Sequence, residues 1–386
     1  MTLLITNARL LTEHRVIDRG WLYVAGHHIR AFAAGDAPSY DVKRIIDAEG
    51  ATLAPGFIDV HVHGALGTEA ILGDPDGLHR MSEFYARHGV TAYLPTTLTA
   101  PHSQIMAALS AIQQAQARPQ GAAILGAHVE GPYLNRSKAG AQFPEFIRLA
   151  SMTEVQELLD TGIVRLIAIA PEFAENRQII GACMRRGVTV AIAHTAASFE
   201  EAIASFDLGI AQVTHTYNAM TPLHHRDPGV VGAALADPRV RCEIICDLLH
   251  VDAGAIKVLF NAKGTSGTMI ITDAMSATGL GDGEYGLGAH RVHKQGKKVT
   301  LLDGTLAGSA VTYDESVRNF VQAVGRPFHE VWPVSSLTPA QAIGEAHQRG
   351  SIALNKLADL VLLSDDLRVL TTIVSGQVVY QHGEVA

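Results

Sequence analysis

The chain has 386 residues and a mass of 41.1 kDa, with 47% hydrophobic residues, 18% charged residues and a mean hydropathy of +0.16. This composition supports a large buried core and excludes a disordered or coiled-coil protein. The net charge of −8 is spread without long like-charge blocks, so nothing points to nucleic acid or an anionic membrane surface, and no apolar run approaches the ~18 residues of a transmembrane helix.

The N-terminal stretch MTLLITNARLLTEHRVIDRG meets Asn7, Arg9 and then polar residues, and reads as a strand rather than a secretory signal. The three cysteines, Cys183, Cys242 and Cys246, form no CxxC pair and no disulfide framework, which fits a reducing compartment and a cytoplasmic protein. The runs LLITNARLL, WLYVAGHHIRAFA and RIIDAEGATLAPG read as small antiparallel strands turning at Gly and Asn. LADLVLLSDD and RVLTTIVSGQVVYQHG, near the other end, read the same way.

From Gly56 the pattern changes to apolar strand, loop and helix, repeated. Strands are expected at 57–63, 91–96, 123–130, 164–170, 188–194, 210–215, 242–247 and 269–273. Amphipathic stretches lie between them, among them LHRMSEFYARHG, MTEVQELLDTG and FEEAIASFDLG, and several end at Gly, a common helix stop. Near-continuous apolar strands alternating with helices indicate a parallel sheet covered on both faces. Eight of them is the count for a closed (β/α)8 TIM barrel, with an open doubly wound sheet as the alternative. The expected organisation is an α/β protein. Residues 1–53 and 351–386 form a small β-sandwich domain from both termini, and 54–350 form the barrel.

In such a barrel, chemistry sits at the C-terminal strand ends. Strand one ends in His61-Val62-His63, strand three in His128-Val129-Glu130, strand five in His194, strand six in His215 and strand eight in Asp273. Alternate residues of a strand face the same way, so His61 and His63 are placed to grip one ion. Singly, each residue has an ordinary structural explanation, such as a core histidine or an N-cap aspartate. Together, on one rim, they indicate a metal site. Imidazole and carboxylate ligands suit zinc, and also iron, manganese or nickel. An ion with an open position makes water nucleophilic near neutral pH, and Asp273 is placed to move the proton. The expected chemistry is metal-assisted hydrolysis of an amide or related bond.

The segment from Pro55 to Gly64, PGFIDVHVHG, resembles the opening motif of the amidohydrolase superfamily. The segments HVEGPYL (128–134), AHT (193–195), HTYNAM (215–220), HVD (250–252), TDA (272–274) and LAGS (306–309) resemble the N-acetylglucosamine-6-phosphate deacetylases. The likeness covers nearly the whole chain. It implies removal of the N-acetyl group from a phosphorylated N-acetyl amino sugar, and a homodimer. It assigns Glu130, His194 and His215 as principal metal ligands, with His61 and His63 as the extra pair of members that hold two ions. Asp273 matches the catalytic acid/base, while Asn218, Ala219, Arg226 and His250 match substrate contacts, Arg226 on the phosphate. Strand four ends Ala170-Pro171-Glu172 and offers no lysine for carboxylation, which leaves Glu130 as the bridge between two ions.

Two departures stand out. The family usually has Lys-Gly-Ala-His after H-x-E-G-P, where this chain has Lys138-Ala139-Gly140-Ala141-Gln142. Gln142 is therefore expected in the substrate pocket, with Gln142 or His250 as an auxiliary catalytic donor to the acyl carbonyl. The family's D-G-x-H is here Asp247-Leu248-Leu249-His250. N-acetylglucosamine 6-phosphate is the first substrate expected. The stretch 220–229, MTPLHHRDPG, also resembles the N-acetylgalactosamine-6-phosphate deacetylases, and the two departures leave other N-acyl amino sugars open. A non-catalytic scaffold is disfavoured, because a retired enzyme has no physical need for so costly a polar cluster.

Overall fold

The computed structural model describes residues 2–383. Met1 and residues 384–386 of the expected terminal domain lie outside the described residues. Eight parallel strands form the central sheet: Phe57–Val62, Val90–Thr97, a third in two pieces (Ala123–Ile124 and Ala127–Glu130), Val164–Ile169, Thr189–Ile192, Gln212–Val213, Arg241–Ile245 and Thr268–Ile271. The third strand breaks at Gly126, where φ is 144° and a Cβ would lie 2.5 Å from the Ile163 carbonyl. Among the described residues, the seam between the last strand and the first is closed by backbone bonds beyond the ladders. Asp273 N donates to His61 O at 2.9 Å, and His63 N donates to Ala274 O at 2.8 Å. Buried Asp59 reinforces the seam by accepting from Thr272 Oγ1 at 2.5 Å.

The strands read as apolar runs because they are buried on both faces. Tyr93, Ile167 and Ile169 pack outward under the helices, while Ile58, Val60, Ala92, Leu94, Leu166, Ala191, Ile245 and Ile271 pack together inside the barrel. The helix Leu337–Ala342 plugs the N-terminal end, adding Ala340 to the inner cluster and accepting from Thr189 Oγ1 at 2.8 Å. Apolar filling at that end leaves the C-terminal mouth to the polar residues.

Strands from both chain ends form one eight-stranded sheet around a core of its own, in which Leu3, Leu10, Leu22 and Ile29 meet Leu360, Leu362 and Ile373. It is not wholly antiparallel as expected: Thr2–Leu11 pairs in parallel with both Arg44–Asp47 and Thr52–Pro55. An antiparallel flap (Gly283–Leu287, His290–Gln295 and Lys298–Thr300) also escaped the sequence reading. It docks at the mouth, where His290 stacks on Phe143 at 3.8 Å and Gly288 N donates to Glu69 Oε2 at 2.7 Å.

Candidate metal centre and cavity

Two groups of ligand atoms converge at the mouth: Glu130, His194 and His215, and His61, His63 and Asp273, the atoms of each group lying within 4.8 Å of one another. Glu130 faces both. Its Oε1 is 3.2 Å from His194 Nε2 and 3.1 Å from His215 Nε2. Its Oε2 is 3.2 Å from His63 Nε2 and 3.6 Å from His61 Nε2. Asp273 Oδ1 completes the second group at 3.2 Å from His63 Nε2 and 3.6 Å from His61 Nε2.

The groups behind the rings decide which nitrogens face inward as acceptors. His194 Nδ1 lies 2.8 Å from the Lys138 carbonyl and His63 Nδ1 lies 3.2 Å from the Thr96 carbonyl. A carbonyl only accepts, so each Nδ1 carries the proton and each Nε2 presents a lone pair. His61 Nδ1 faces the Glu243 carboxylate at 3.1 Å, with the same consequence. The lone pairs of His61 and His63 then point at each other across 3.3 Å, beside two carboxylates. A buried set made only of acceptors requires a cation, and N and O donors at this spacing suit a divalent ion. Burial alone would lower His63, but the Asp273 and Glu130 carboxylates raise it to about 9. Burial alone would raise Asp273, but His61 and His63 bring it down to about 2. Burial also opposes Glu130, and the surrounding imidazoles pull it well below the usual carboxylate range.

Three of these residues leave their strands with left-handed backbone: His194 at φ 42°, His215 at 28° and Asp273 at 50°. Each stands two residues beyond its strand, where the turn re-aims the side chain across the mouth. Non-glycine residues in this region cost ~1–3 kcal/mol each, and such strain gathers at functional sites. His128, by contrast, is no member of either group. Its ring is buried edge-on to His61 at 4.7 Å, and burial with the neighbouring cationic rings holds it well below the usual histidine range.

The cluster floors a cavity of about 410 Å³, lined also by Lys138, Gln142, Asn218, Ala219, His250 and the flap residue Leu287. His250 Nδ1 bonds Asp247 Oδ2 at 2.6 Å, and that carboxylate raises the imidazole against the effect of burial. Gln142 is in the cavity wall, but both ends of its amide are engaged. The Thr99 N–H donates to its Oε1 at 2.7 Å, and its Nε2 donates to Glu130 Oε2 at 2.6 Å. Because a backbone N–H can only donate, the Thr99 contact fixes which end of the amide meets Glu130. Arg226 is not brought into the cavity. It lies on an exposed loop with Nη1 2.8 Å from His225 Nε2, and Lys138 is the only lysine or arginine among the lining residues described. Leu248 also stands outside the lining. Its φ of 62° is the left-handed conformation for which glycine is suited.

Sequence reasoning missed Glu243 and Glu69. Glu243 stands in the seventh strand behind His61, and Glu69 holds the flap. The legible signal for Glu243 was a lone carboxylate within the apolar run VRCEIIC.

A barrel carrying a histidine–carboxylate cluster on its C-terminal rim defines a class of metal-dependent hydrolases. The chain belongs to the amidohydrolase family, whose model matches residues 52–379. Within it, the chain is similar to the N-acetylhexosamine-6-phosphate deacetylases. It is 38% identical over 348 residues to N-acetylglucosamine-6-phosphate deacetylase of Vibrio furnissii, covering 89% of this chain and 87% of that one. It is 38% identical over 380 residues to N-acetylgalactosamine-6-phosphate deacetylase of Escherichia coli O157:H7, covering 98% and 99%. The crystal structure of N-acetylglucosamine-6-phosphate deacetylase from Pasteurella multocida superposes with a TM-score of 0.93 at 33% identity, covering 98% and 99%. A mutant of the Mycobacterium smegmatis enzyme, solved in complex with N-acetyl-D-glucosamine-6-phosphate, superposes with a TM-score of 0.92 at 31% identity, covering 98% and 100%.

Proposed function

We propose that this protein hydrolyses the N-acetyl group of N-acetylglucosamine 6-phosphate, releasing acetate and glucosamine 6-phosphate. The observation that carries the reading is the acceptor-only cluster at the floor of a cavity of about 410 Å³ with Asp273 beside it. Glu130, His194 and His215 would hold one divalent ion and His61, His63 and Asp273 a second, with Glu130 shared between them; zinc suits this donor set. When bound, such ions polarise the amide carbonyl and make water nucleophilic near neutral pH.

The chain's own residues do the rest. Asp273 is ionised at neutral pH, with Oδ1 turned to His63, and its other oxygen takes the proton of the attacking water. Water oxygen bonds to the acyl carbon, the carbon–nitrogen bond breaks, and Asp273 returns the proton to the departing amine. His250 Nδ1–H donates to Asp247, whose carboxylate favours the imidazolium, and in that form Nε2 also donates into the cavity that the ring lines. Asn218 and Ala219 form the adjoining wall, where Asn218 Nδ2 donates to the His215 carbonyl at 3.3 Å and Ala219 O accepts from Thr195 N at 3.0 Å. Gln142 serves through Glu130, to which one Nε2 hydrogen is given, and keeps a second for the acyl carbonyl. Arg226 remains the proposed phosphate contact, reached from its exposed loop.

A second reading is the galacto epimer, favoured by 38% identity to the galactosamine enzyme over 98% of this chain. We also propose a cytoplasmic homodimer whose terminal domain comprises residues 1–53 and 351–386. No described helix is long and apolar enough to cross a membrane, and all three cysteines are free and buried. Acetate release from both hexosamine phosphates and their unphosphorylated forms, on zinc-loaded and chelator-stripped protein, tests the function. Zinc-dependent release from the gluco phosphate is expected. No release from either phosphate by protein shown to contain metal would overturn the reading.

A further inference from the structure

Glu243 is fully buried within the strand Arg241–Ile245, outside the cavity lining and outside both ligand groups. A carboxylate in that position is costly unless its oxygens are satisfied. Its Oε1 accepts from Gln212 Nε2 at 2.5 Å, and its Oε2 accepts from the His215 backbone N–H at 3.2 Å. The same Oε2 faces His61 Nδ1 at 3.1 Å.

From this geometry we infer that Glu243 is a positioning residue that fixes the tautomer and orientation of His61 and thereby selects the second ion. The inference rests on the metal reading above. Carboxylates behind ligating imidazoles hold the ring and raise its basicity, and their loss commonly weakens metal binding by about 10–100-fold. With its proton held on Nδ1, His61 must present Nε2, which lies 3.3 Å from His63 Nε2 and 3.6 Å from Asp273 Oδ1. The effect is selective because the two groups are oriented differently. His194 is set by the Lys138 carbonyl, and His215 meets Glu243 only through its backbone, its own Nδ1 having no partner. Glu243 therefore polarises one ligand of the His61–His63–Asp273 group and no side chain of the other.

The test is a zinc titration of metal-stripped full-length protein by calorimetry, comparing the wild type with Glu243→Gln and Glu243→Ala. The wild type is expected to bind two zinc ions. Both variants should keep the tighter ion at unchanged affinity and bind the second about 10–100-fold more weakly, Glu243→Gln less affected because its amide oxygen still accepts. A merely structural role would weaken both ions together, and that result, or no change in either, overturns the proposal. A wild type that binds one ion also overturns it while leaving the principal site standing, whereas a wild type that binds none overturns the metal reading itself. If both variants fail to fold, the zinc-loaded wild type decides. Nitrogen-15 histidine NMR, assigned by His61→Gln, should show a protected Nδ1–H on His61, and its absence refutes the proposal.

Discussion

Replacing Gln142 with Met keeps the volume of the side chain and removes both ends of its amide. The Nε2–Glu130 bond at 2.6 Å is charge-assisted, and its loss costs ~1.5–3 kcal/mol. The Thr99 N–H loses its acceptor as well, in a wall where Gln142 is only 4% exposed. Little of this penalty should fall on substrate binding, because Thr99 occupies the amide oxygen and Glu130 takes one of the two Nε2 hydrogens. It falls on Glu130, the residue shared by both ligand groups, so both ions should bind about 10–100-fold more weakly. We expect Gln142→Met to retain less zinc after dialysis against a chelator, to lose kcat, and to recover most of it in excess zinc, with KM unchanged. Gln142→His should be milder, since an imidazole can still donate to Glu130. Metal content by mass spectrometry, with acetate-release kinetics on the same samples, makes the comparison. An increased KM at unchanged metal content would refute this reasoning and return Gln142 to the substrate.

Three further outcomes test the same reading. The double change His61→Ala, His63→Ala should remove one ion per chain and leave that on Glu130, His194 and His215; unchanged metal content would make the HxH pair structural. Arg226→Ala should raise KM for phosphorylated sugars and leave unphosphorylated analogues unaffected, with equal losses on both removing it from the phosphate. Burial raises Glu69 to about 7, so between ~4.3, its unfolded value, and there the folded chain holds a proton that the unfolded chain has lost. The contribution of Glu69 to stability should fall as pH rises through that window, by at most ~1.4 kcal/mol per pH unit, and level off above it. Burial raises Asp59 to about 7 as well, so Glu69→Gln should make the decline in urea unfolding between pH 5 and 8 shallower without abolishing it, and parallel curves for variant and wild type would refute it.

The barrel was legible because burial on both faces writes each strand as a single apolar run, as in Val90–Thr97, where every residue is buried. Where the chain turns early the reading overran. The expected strand 210–215 pairs in its ladders only at Gln212–Val213, since His215 already has left-handed backbone. The residues of the two rim groups were legible because polar residues recur where apolar runs stop. Their supports were not. Glu243 and His61 are 182 residues apart, and Thr99 and Gln142 are 43 apart, so no local pattern joins them. The parallel pairing of Thr2–Leu11 is of the same kind, since alternation gives a strand but not its neighbour. The flap was hidden by short strands whose alternate residues are exposed, such as His290–Gln295.

What unites the site is that it is unfavourable locally and held globally. His194, His215 and Asp273 together carry ~3–9 kcal/mol of backbone strain. The inward lone pairs of His61 and His63 repel across 3.3 Å until a positive charge comes between them. Neither feature would persist on a mobile loop, because the chain would relax out of it. Both persist here because the ligands stand directly beyond paired strands, and because the seam bonds through Asp273 N and His63 N belong to the ligands themselves. The backbone that closes the barrel and the backbone that aims the second ligand group are thus the same few residues. A change that loosens the seam, such as losing Asp59 beneath Thr272, must reach His61, His63 and Asp273 before it reaches His194 or His215.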